Sequence, residues 1–414
     1  MNGRCRGRLQ RRELVNRPQV LNAGDLHSYT MRVLHTNIGI YPERGGPPAV
    51  ITNLAAAQAR AGHDVTIASA STHADLLNIQ KRMLSRVEGG HLVSVAQFDP
   101  LSIWRCLFGS VERLPGGPAD VIHIHEIWNP FDSYVARVAR SSATPYAVTV
   151  HGLLSPARRR DKGFKKWLAR TLFVNQLLER ALFVQGLTVS ECEDIRGLVP
   201  AAVVRHVANG YSAMDTTYAR DPFPHQCHSI EGHPFILFMA RLHPMKGLDF
   251  LVPAFERVAT SNPALQLVIA GPDDGGLSDL NLAIANSVVG GRIHAIGMVD
   301  GPTKAWLLSN ATIFVLPSRD EGFSIAILEA LSNGIPTVIS PQCHFPEASA
   351  AGAAIEAELD PESIANAVLR LLTDHKLRSR MSVAGVQLVQ DHYTWDRIAA
   401  QLLEFYVNSP RSQQ

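Results

Sequence analysis

Two glutamates eight residues apart are the most specific chemical feature of this 414-residue sequence. Glu321 falls in a loop after a predicted strand, and Glu329 falls about two turns inside a helix predicted over 322–333. Eight helical residues rise about 12 Å, comparable with the reach from a hexose across a diphosphate to a ribose. The start of that helix, whose unpaired N–H groups can bind phosphate, comprises Gly322, Phe323, Ser324 and Ile325. The alternative is that both glutamates are solvated on an exposed helix.

A pair of cationic residues follows the first strand predicted in the second half of the chain. Arg241 and Lys246 lie within the segment 240–247, and ligands of parallel sheets bind at the carboxyl ends of strands. Arginine offers a two-pronged donor and lysine a point charge, which together suit a leaving diphosphate. We therefore predict that both side chains neutralise such a group. The alternative is that they are ordinary surface charges on a loop.

Residues in the first half occupy comparable positions at strand ends. His151 follows a strand predicted over 146–150, where it can donate to sugar hydroxyls or stabilise developing charge. Gly45 and Gly46 follow the first strand, and adjacent glycines let backbone N–H groups approach a ligand closely. Asn209 belongs to a turn dipeptide that closes this half. We expect the two halves to face each other across a cleft.

Three groups of histidine and cysteine residues have the types of side chain that bind metals. His123 and His125 alternate on one face of a strand with no third ligand nearby, so we interpret them as a satisfied histidine pair. Cys343 and His344 are interpreted as pocket lining. The third group is expected to be solvated in a linker and comprises His225, Cys227 and His228. No metal site is predicted.

A basic segment over 158–170 carries a net charge of +6. Phe164, Trp167 and Leu168 form an apolar stripe at helical spacing between the cations. This pattern suits an anionic lipid surface or a lipid-diphosphate acceptor, although a surface helix with its stripe in the core is equally consistent with it. The residues that we predict to meet an acceptor or a membrane are Arg158, Arg159, Arg160, Lys162, Lys165, Lys166 and Trp167.

Several motifs that would define other functions are absent from the sequence. Without G-x-G-x-x-G a nicotinamide-dependent dehydrogenase is disfavoured, and without G-x-x-x-x-G-K-[ST] a P-loop nucleotidase is excluded. The lack of G-x-S-x-G weakens the case for an α/β-hydrolase. There is also no D-x-D, the carboxylate pair with which one class of glycosyltransferases holds a divalent metal on a nucleoside diphosphate.

The composition is that of a globular protein, with 46% hydrophobic and 18% charged residues. Lys+Arg 39 against Asp+Glu 37 argues against a dedicated nucleic-acid binder. Five scattered cysteines with no C-x-x-C fit reduced thiols in a cytosolic enzyme. No apolar run reaches the roughly 18 residues needed to span a bilayer. We predict a cytoplasmic protein, with peripheral attachment at the inner face of the plasma membrane as an option.

Alternating strand and helix patterns predict a parallel α/β structure in each half. Strands are predicted over 31–36, 65–68, 91–95, 121–124, 146–150, 184–189 and 203–207, and then over 235–239, 267–270, 293–296, 312–316 and 337–339. Helices are predicted over 50–61, 247–260, 302–310, 322–333, 361–373, 375–391 and 395–407. Ser190 and Glu193 form a capping box for one further helix.

These patterns divide the chain into five parts. Residues 1–30, with six arginines and no apolar core, are interpreted as an untranslated or disordered basic extension. A first Rossmann-like domain for the acceptor is predicted over 31–212 and a linker over 213–233. A second such domain for the donor is predicted over 234–391, followed by a helix and tail over 392–414.

The sequence resembles family 4 of the retaining glycosyltransferases, which have the two-domain GT-B fold. The matching motifs run in family order from residue 31 to about 345 and include Gly45-Gly46, Gly62-His63, His151-Gly152, Asn209-Gly210, Arg241 to Gly247, Gly271 to Asp273, Pro317-Ser318 and Glu321 to Glu329. The stretch 151–157 and Cys343-His-Phe-Pro-Glu347 look like the polysaccharide-building branch. In the latter, Cys343 to Phe345 replace a more usual Gly-Gly.

The resemblance implies a role for each matching residue. Arg241 and Lys246 would hold the diphosphate of a nucleotide sugar, and Glu329 its ribose hydroxyls. Glu321 would contact the donor sugar and His151 the transferred hexose. Further donor-binding residues would be Gly45, Gly46, Asn209, Gly271, Gly322, Phe323, Ser324 and Ile325. The family also folds its last helix back onto the first domain.

We therefore expect a retaining, metal-independent transferase that moves a hexose from a UDP- or GDP-sugar to a saccharide or lipid-linked saccharide in polysaccharide or glycoconjugate synthesis. No cofactor beyond this substrate and no nucleic-acid partner are expected. The alternatives are a related nucleotide-sugar epimerase or phosphorylase, or an inactive nucleotide-sugar-binding protein.

Overall fold

The structure is a computed structural model that describes residues 30–40, 46–70, 76–77, 79–98, 115, 117–156, 167–211, 225–299 and 301–409. Almost all of the basic extension, Gly45 and most of the basic segment lie outside these residues. The cationic residues predicted to meet an acceptor or membrane there are Arg158, Arg159, Arg160, Lys162, Lys165 and Lys166.

Seven parallel strands form the first sheet, in the order β3-β2-β1-β4-β5-β6-β7. They are β1 (Arg32–Asn37), β2 (Asp64–Ser69), β3 (Ser94–Gln97), β4 (Val121–His125), β5 (Tyr146–Thr149), β6 (Phe183–Gly186) and β7 (Val204–His206). Helices in the described part of this half include α1 (Gly46–Arg60), α2 (Pro130–Ser141), α3 (Asn175–Glu179) and α4 (Val189–Leu198). Every residue of β4 and β5 is buried, because helices cover both faces of a parallel sheet.

Six parallel strands form the second sheet, in the order β10-β9-β8-β11-β12-β13. They are β8 (Phe235–Met239), β9 (Gln266–Ala270), β10 (Ile293–Gly297), β11 (Ile313–Leu316), β12 (Thr337–Ile339) and β13 (Ala354–Glu356). The helices here are α5 (Leu248–Ser261), α6 (Leu277–Asn286), α7 (Gly301–Asn310), α8 (Ile325–Ser332), α9 (Pro346–Ala350), α10 (Pro361–Thr373) and α11 (His375–His392). The predicted α/β fold with two Rossmann-like sheets is confirmed.

The last helix, α12 (Trp395–Asn408), leaves the second half and packs into the core of the first. Trp395, Leu402 and Tyr406 belong to the same buried cluster as the apolar face of α1. Gly210 lies so close to this crossing that a Cβ there would stand 2.6 Å from Cδ2 of Trp395. The predicted return of the C-terminal helix to the first domain is therefore confirmed.

Two local predictions in the first half are wrong. The third strand begins at Ser94 rather than at residue 91, because Gly90–Leu92 forms a 3₁₀ turn. The helix after β6 is capped by Thr188, whose hydroxyl accepts from the Glu191 backbone N–H, so Ser190 lies inside the helix and forms no capping box. Thr188 has the extended backbone of an N-cap residue, and its hydroxyl accepts from a backbone N–H of the first turn, so the helix begins earlier than predicted.

The predicted linker over 213–233 is partly integrated into the second core. A 3₁₀ segment, His225–Ile230, places Cys227 and Ile230 in the apolar cluster of that half. The expectation that Cys227 is solvated is wrong, and burial raises the pKa of its thiol to about 11. His228 is exposed as expected, whereas the side chain of His225 lies outside the part of the chain that the structure describes.

No helix in the described parts of the chain combines the length and the apolarity needed to cross a bilayer.

Candidate active site

A cleft separates the carboxyl ends of the two sheets, and residues from both halves line it. In doubly wound sheets this edge, near the point where strand order reverses, is where ligands bind. The predicted site residues that line the cleft are Gly46, His151, Asn209, Arg241, Lys246, Glu321, Gly322, Phe323, Ser324 and Ile325. The structure thus brings together residues that are up to 279 positions apart in the sequence.

Lys246 and Glu321 form an ion pair at the centre of the second-domain side of the cleft. The Nζ atom of Lys246 donates to Oε1 of Glu321 at 2.5 Å, and both side chains are about nine-tenths buried. Lys246 ends a short 3₁₀ turn after β8, and Glu321 lies in the loop after β11, the neighbouring strand. The adjacency of these strands brings the two charged groups to one point.

Arg241 is the second cation of this edge and is more exposed than Lys246. Its Nη1 atom donates to Oδ2 of Asp274 at 2.6 Å, and the side chains are 45% and 41% exposed. Because such an exposed pair contributes little to stability, the guanidinium can exchange partners at low cost. Gly271 lies behind this loop rather than in the cleft, and its φ of 150° lets the backbone approach the Ala240 carbonyl, where a Cβ would clash at 1.8 Å.

The helix that carries the second glutamate begins later than predicted. Ser324 is the N-cap of α8, so Glu329 lies a little more than one turn inside the helix rather than two. Its Oε1 atom accepts from Nζ of Lys304 on α7 at 2.5 Å. Glu329 does not line the cleft itself. Lys304 was missed because a lysine inside a surface helix has no distinctive sequence signal.

His151 and Gly152 form a tight turn directly after β5. Their φ angles are 55° and 74°, values that glycine tolerates and a histidine rarely adopts. Glu191 holds this turn in place, since its two carboxylate oxygens accept from the N–H groups of Gly152 and Leu187 at 2.6 Å each. Burial raises the pKa of Glu191 to about 7. A strained residue kept by a buried carboxylate is typical of a functional position.

The two domains touch directly beside this turn. A Cβ at Gly152 would stand 3.0 Å from Cα of Gly322, and one at Gly322 would stand 3.1 Å from Cα of Gly152. Nearby, the Ser155 hydroxyl donates to Oδ2 of Asp320 at 2.9 Å. The cleft is therefore closed at one end by a contact between domains.

The pair His123 and His125 is part of a larger cluster. His35 on β1 pairs in register with His123 on β4, and ring nitrogens of all three histidines lie within 4.8 Å of one another. The expectation that no third histidine is near is wrong. Both ring nitrogens of each of the three have a hydrogen-bond partner, which fits the prediction of satisfied histidines.

Desolvation keeps this cluster and the neighbouring His151, whose side chain is partly exposed, neutral. The loss of solvation lowers the pKa of His35 and of His151 to about 4, against an ordinary value of 6.5. The pKa values of His123 and His125 are lowered well below that value by burial and by the nearby histidines. At pH 7 we therefore treat the imidazole rings of all four histidines as neutral.

Two other predicted features lie away from the cleft or at its edge. Cys343 is buried in the second core, where its thiol donates to the Leu316 carbonyl, and burial raises its pKa to about 12. The prediction that Cys343 lines the pocket is wrong, and His344 is directed to Asp320 at 3.7 Å. Trp167 and Leu168 are 53% and 43% exposed, so the alternative of a stripe packed in the core is wrong for them.

Two family models match the chain on either side of the cleft. One, described as a glycosyl transferase 4-like domain, matches residues 45–210. The other, described as glycosyl transferases group 1, matches residues 221–387. The chain belongs to the GT4-like glycosyltransferases. Between them the two matches account for most of the first and second Rossmann-like halves of this glycosyltransferase.

Curated relatives of this glycosyltransferase match over most of their length. Phosphatidyl-myo-inositol mannosyltransferase of Mycolicibacterium smegmatis is 25% identical over 390 residues, covering 87% of this chain and 90% of that protein. GDP-mannose:cellobiosyl-diphosphopolyprenol alpha-mannosyltransferase of Xanthomonas campestris is 24% identical over 406 residues, covering 93% and 99%. The chain is thus similar to whole enzymes rather than to one domain.

Solved structures show the same GT-B fold. HepE of Anabaena, solved in complex with UDP and glucose, superposes with a TM-score of 0.70 at 15% identity, covering 90% of this chain and 98% of that one. Sucrose-phosphate synthase of Thermosynechococcus elongatus superposes with a TM-score of 0.68 at 18% identity, covering 91% and 98%.

Proposed function

We propose that the protein is a retaining hexosyltransferase that uses a nucleoside diphosphate sugar and a saccharide or lipid-linked saccharide acceptor without a metal ion. The observation that carries the proposal is that Lys246, Arg241 and Glu321 of the second domain line the same cleft as His151 of the first domain. In this proposal the two cations neutralise the charge that develops on a departing diphosphate, and preorganised charges of this kind usually contribute more to catalysis than any other single effect.

In this proposal the diphosphate displaces the carboxylate of Asp274 from Arg241 and binds beside Lys246. Arg241 would exchange Asp274 for phosphate oxygens. Lys246 would keep Glu321 as a neighbour, and this carboxylate would orient the lysine. The N–H groups at the start of α8, after Ser324, would take further phosphate oxygens. Cationic neutralisation of this kind replaces the divalent ion that a D-x-D motif would hold, and the sequence has no such motif.

Two polar groups support the placement of a sugar and a ribose. The side-chain oxygen of Asn209 is buried in the cleft wall without a hydrogen-bond partner among the described residues, and a ligand hydroxyl would satisfy it. Glu329, held by Lys304, would accept from ribose hydroxyls when the nucleotide is bound.

We propose front-face attack as the route to retention. The acceptor hydroxyl would be deprotonated by the departing phosphate as the bond between the anomeric carbon and the phosphate oxygen breaks. Lys246 and Arg241 would stabilise the negative charge on that phosphate. His151 would contact the transferred hexose from the first domain.

The relatives support the substrate classes without deciding between them. One relative is named for phosphatidyl-myo-inositol and another for a diphosphopolyprenol acceptor and a GDP-mannose donor, whereas HepE was solved with UDP. We propose a polysaccharide or glycoconjugate pathway at the cytoplasmic membrane surface, because exposed Trp167, Leu168 and Leu172 lie at the end of the basic segment.

A thermal unfolding series with UDP, GDP and ADP in the presence of a chelator tests the proposal. A ligand that binds only the folded state raises the unfolding midpoint by mass action. We expect one nucleotide to raise the midpoint and the matching nucleotide sugar to be consumed only when an acceptor is added. Conversion of the donor without an acceptor would indicate an epimerase, and no shift with any nucleotide would refute the nucleotide site.

A further inference from the structure

A continuous row of hydrogen bonds crosses the interior of the first domain and ends at the cleft. We call this row the buried polar chain. In order its members are the Val207 carbonyl and the side chains of Gln185, Thr149, His123, Tyr406, Gln58, His35, His125 and His151. All members except His151 are buried.

The direction of the protons is fixed at the end away from the cleft. A carbonyl can only accept, so Nε2 of Gln185 must face Val207 at 2.8 Å, which leaves Oε1 facing Thr149. The Thr149 hydroxyl has a single proton and donates it to Oε1 of Gln185 at 2.6 Å. Its oxygen must therefore accept from Nε2 of His123, also at 2.6 Å.

The row of hydrogen bonds continues through Tyr406 on the last helix of the protein. Neutral His123 carries its proton on Nε2, so its Nδ1 accepts from the Tyr406 hydroxyl at 2.5 Å. The Tyr406 oxygen then accepts from Nε2 of Gln58 at 3.4 Å. The amide of Gln58 is thereby oriented with Oε1 toward Nε2 of His35, at 2.7 Å.

The remaining steps lead to the cleft. With its proton on Nε2, His35 accepts at Nδ1 from Nε2 of His125 at 3.0 Å. His125 in turn accepts at Nδ1 from Nε2 of His151 at 3.1 Å. His151 therefore has its proton on Nε2, and Nδ1 has a lone pair and no partner among the described residues.

We propose that the buried polar chain fixes His151 as the Nε2–H tautomer, so that Nδ1 accepts a hydrogen bond from a sugar hydroxyl in the cleft. Tyr406 on α12 is a positioning residue that acts on His151 through the chain. This inference rests on the proposed function for the identity of the ligand. The sequence analysis predicted that His151 donates to a sugar hydroxyl, whereas here its Nδ1 accepts from one. The lone pair on Nδ1 attracts a hydroxyl proton and repels phosphate oxygens.

The tautomer can be measured without any substrate, so the test does not depend on transferase activity. In protein with ¹⁵N-labelled histidine at pH 7, the His151 signals are identified by their loss in His151→Gln. We expect a proton on Nε2 and none on Nδ1. A proton on Nδ1, or on both nitrogens, would overturn the proposal even if the protein transfers sugar.

Tyr406→Phe tests the coupling through the last helix. Without the hydroxyl, the Gln58 amide can turn over, and we expect His35, His125 and His151 to become mixtures of tautomers. Tyr393→Phe is the matched control, because among the described residues the Tyr393 hydroxyl has no hydrogen-bond partner and is not a member of the buried polar chain. If Tyr406→Phe fails to fold, Thr149→Val removes the acceptor that orients His123 and should give the same mixture. An unchanged His151 tautomer in either folded variant would overturn the coupling.

A series of monodeoxy donor sugars tests the contact with a hydroxyl. For one analogue we expect kcat/KM of the wild type to fall about tenfold or more, and this penalty should vanish in His151→Ala. If every analogue keeps its penalty in that variant, the hydroxyl contact is refuted. If the parent donor is not transferred at all, the proposed function fails while the tautomer result stands.

Discussion

Gly152 of the first domain and Gly322 of the second lie in van der Waals contact across the cleft, with Cα of Gly322 only 3.0 Å from the position of a Cβ on Gly152. Each glycine adjoins a residue of the proposed machinery, His151 on one side and Glu321 on the other. The absence of two side chains at this point therefore sets how closely the two halves of the site approach.

Gly322→Ala should open the cleft by a few tenths of an ångström, because its new Cβ would lie 3.1 Å from the Gly152 backbone. We expect a fall of about tenfold or more in kcat/KM, since small misplacements of reacting groups are costly, with little loss of thermal stability. Gly291→Ala is the control, as nothing lies within 4 Å of a Cβ there. Equal activity of both variants would show that this contact does not limit closure.

Lys246→Ala should reduce transfer by about 100- to 1,000-fold, because it removes a charge aimed at the leaving group. It also leaves Glu321, one-tenth exposed, without its partner. Steady-state kinetics with a chelator present measures the effect, and circular dichroism checks that the fold is intact. Lys376→Ala, an exposed residue of α11, serves as the control. Near-normal turnover of Lys246→Ala would remove the leaving-group role.

Much of the fold was predictable because its signals are local. Runs such as Phe235–Met239 are apolar throughout, which is typical of a buried parallel strand. The strand-end residues Arg241 and Lys246 were found for the same reason, since strand order and position suffice to place them at the cleft. The resemblance to a known family added expected roles for residues such as Glu329, which hydrophobic periodicity and strand position did not provide.

The parts that were missed depend on contacts between distant segments. His35 becomes the third member of the histidine cluster only because β1 pairs with β4 in register. Alternation of His123 and His125 with apolar residues showed one face of a strand, but not which strand would lie beside it. The hydroxyl of Tyr406 finds a partner 283 residues away, and helical periodicity predicts only that its ring is buried.

Glu191→Gln should destabilise the protein by about 1–3 kcal/mol. One carboxylate oxygen would become an NH₂ group facing the N–H of Gly152 or Leu187, so two donors would oppose each other in a buried site. Denaturant unfolding measures the change. Glu193→Gln on the same helix is exposed and should change the free energy of unfolding by less than about 0.5 kcal/mol. Equal stability of the two variants would refute the role of Glu191 in holding the turn.

The buried histidines should make stability fall as the pH drops below 6.5. Their folded pKa values are lowered, to about 4 for His35, so the unfolded chain binds more protons in that range and is favoured by acid. Glu191, with its raised pKa, acts in the opposite direction, so the comparison must be made between variants. Between pH 6.5 and 5, His123→Gln should lose less stability than the wild type, by about 1.6 kcal/mol, which is the full linkage of one histidine that stays neutral when folded. Parallel pH profiles would show that His123 is protonated in the folded protein.

The exposed apolar residues at the end of the basic segment should bind a membrane surface. Trp167, Leu168 and Leu172 are 53%, 43% and 66% exposed, and burying such side chains in the interface of an anionic bilayer is favourable. Replacing all three with serine should weaken co-sedimentation with anionic vesicles more than tenfold, whereas Leu282→Ser, 62% exposed in the second domain, should not. Added salt should also weaken binding, because cations next to the stripe contribute. Equal binding of the triple variant and the wild type, or no binding by the wild type, would contradict attachment through this surface.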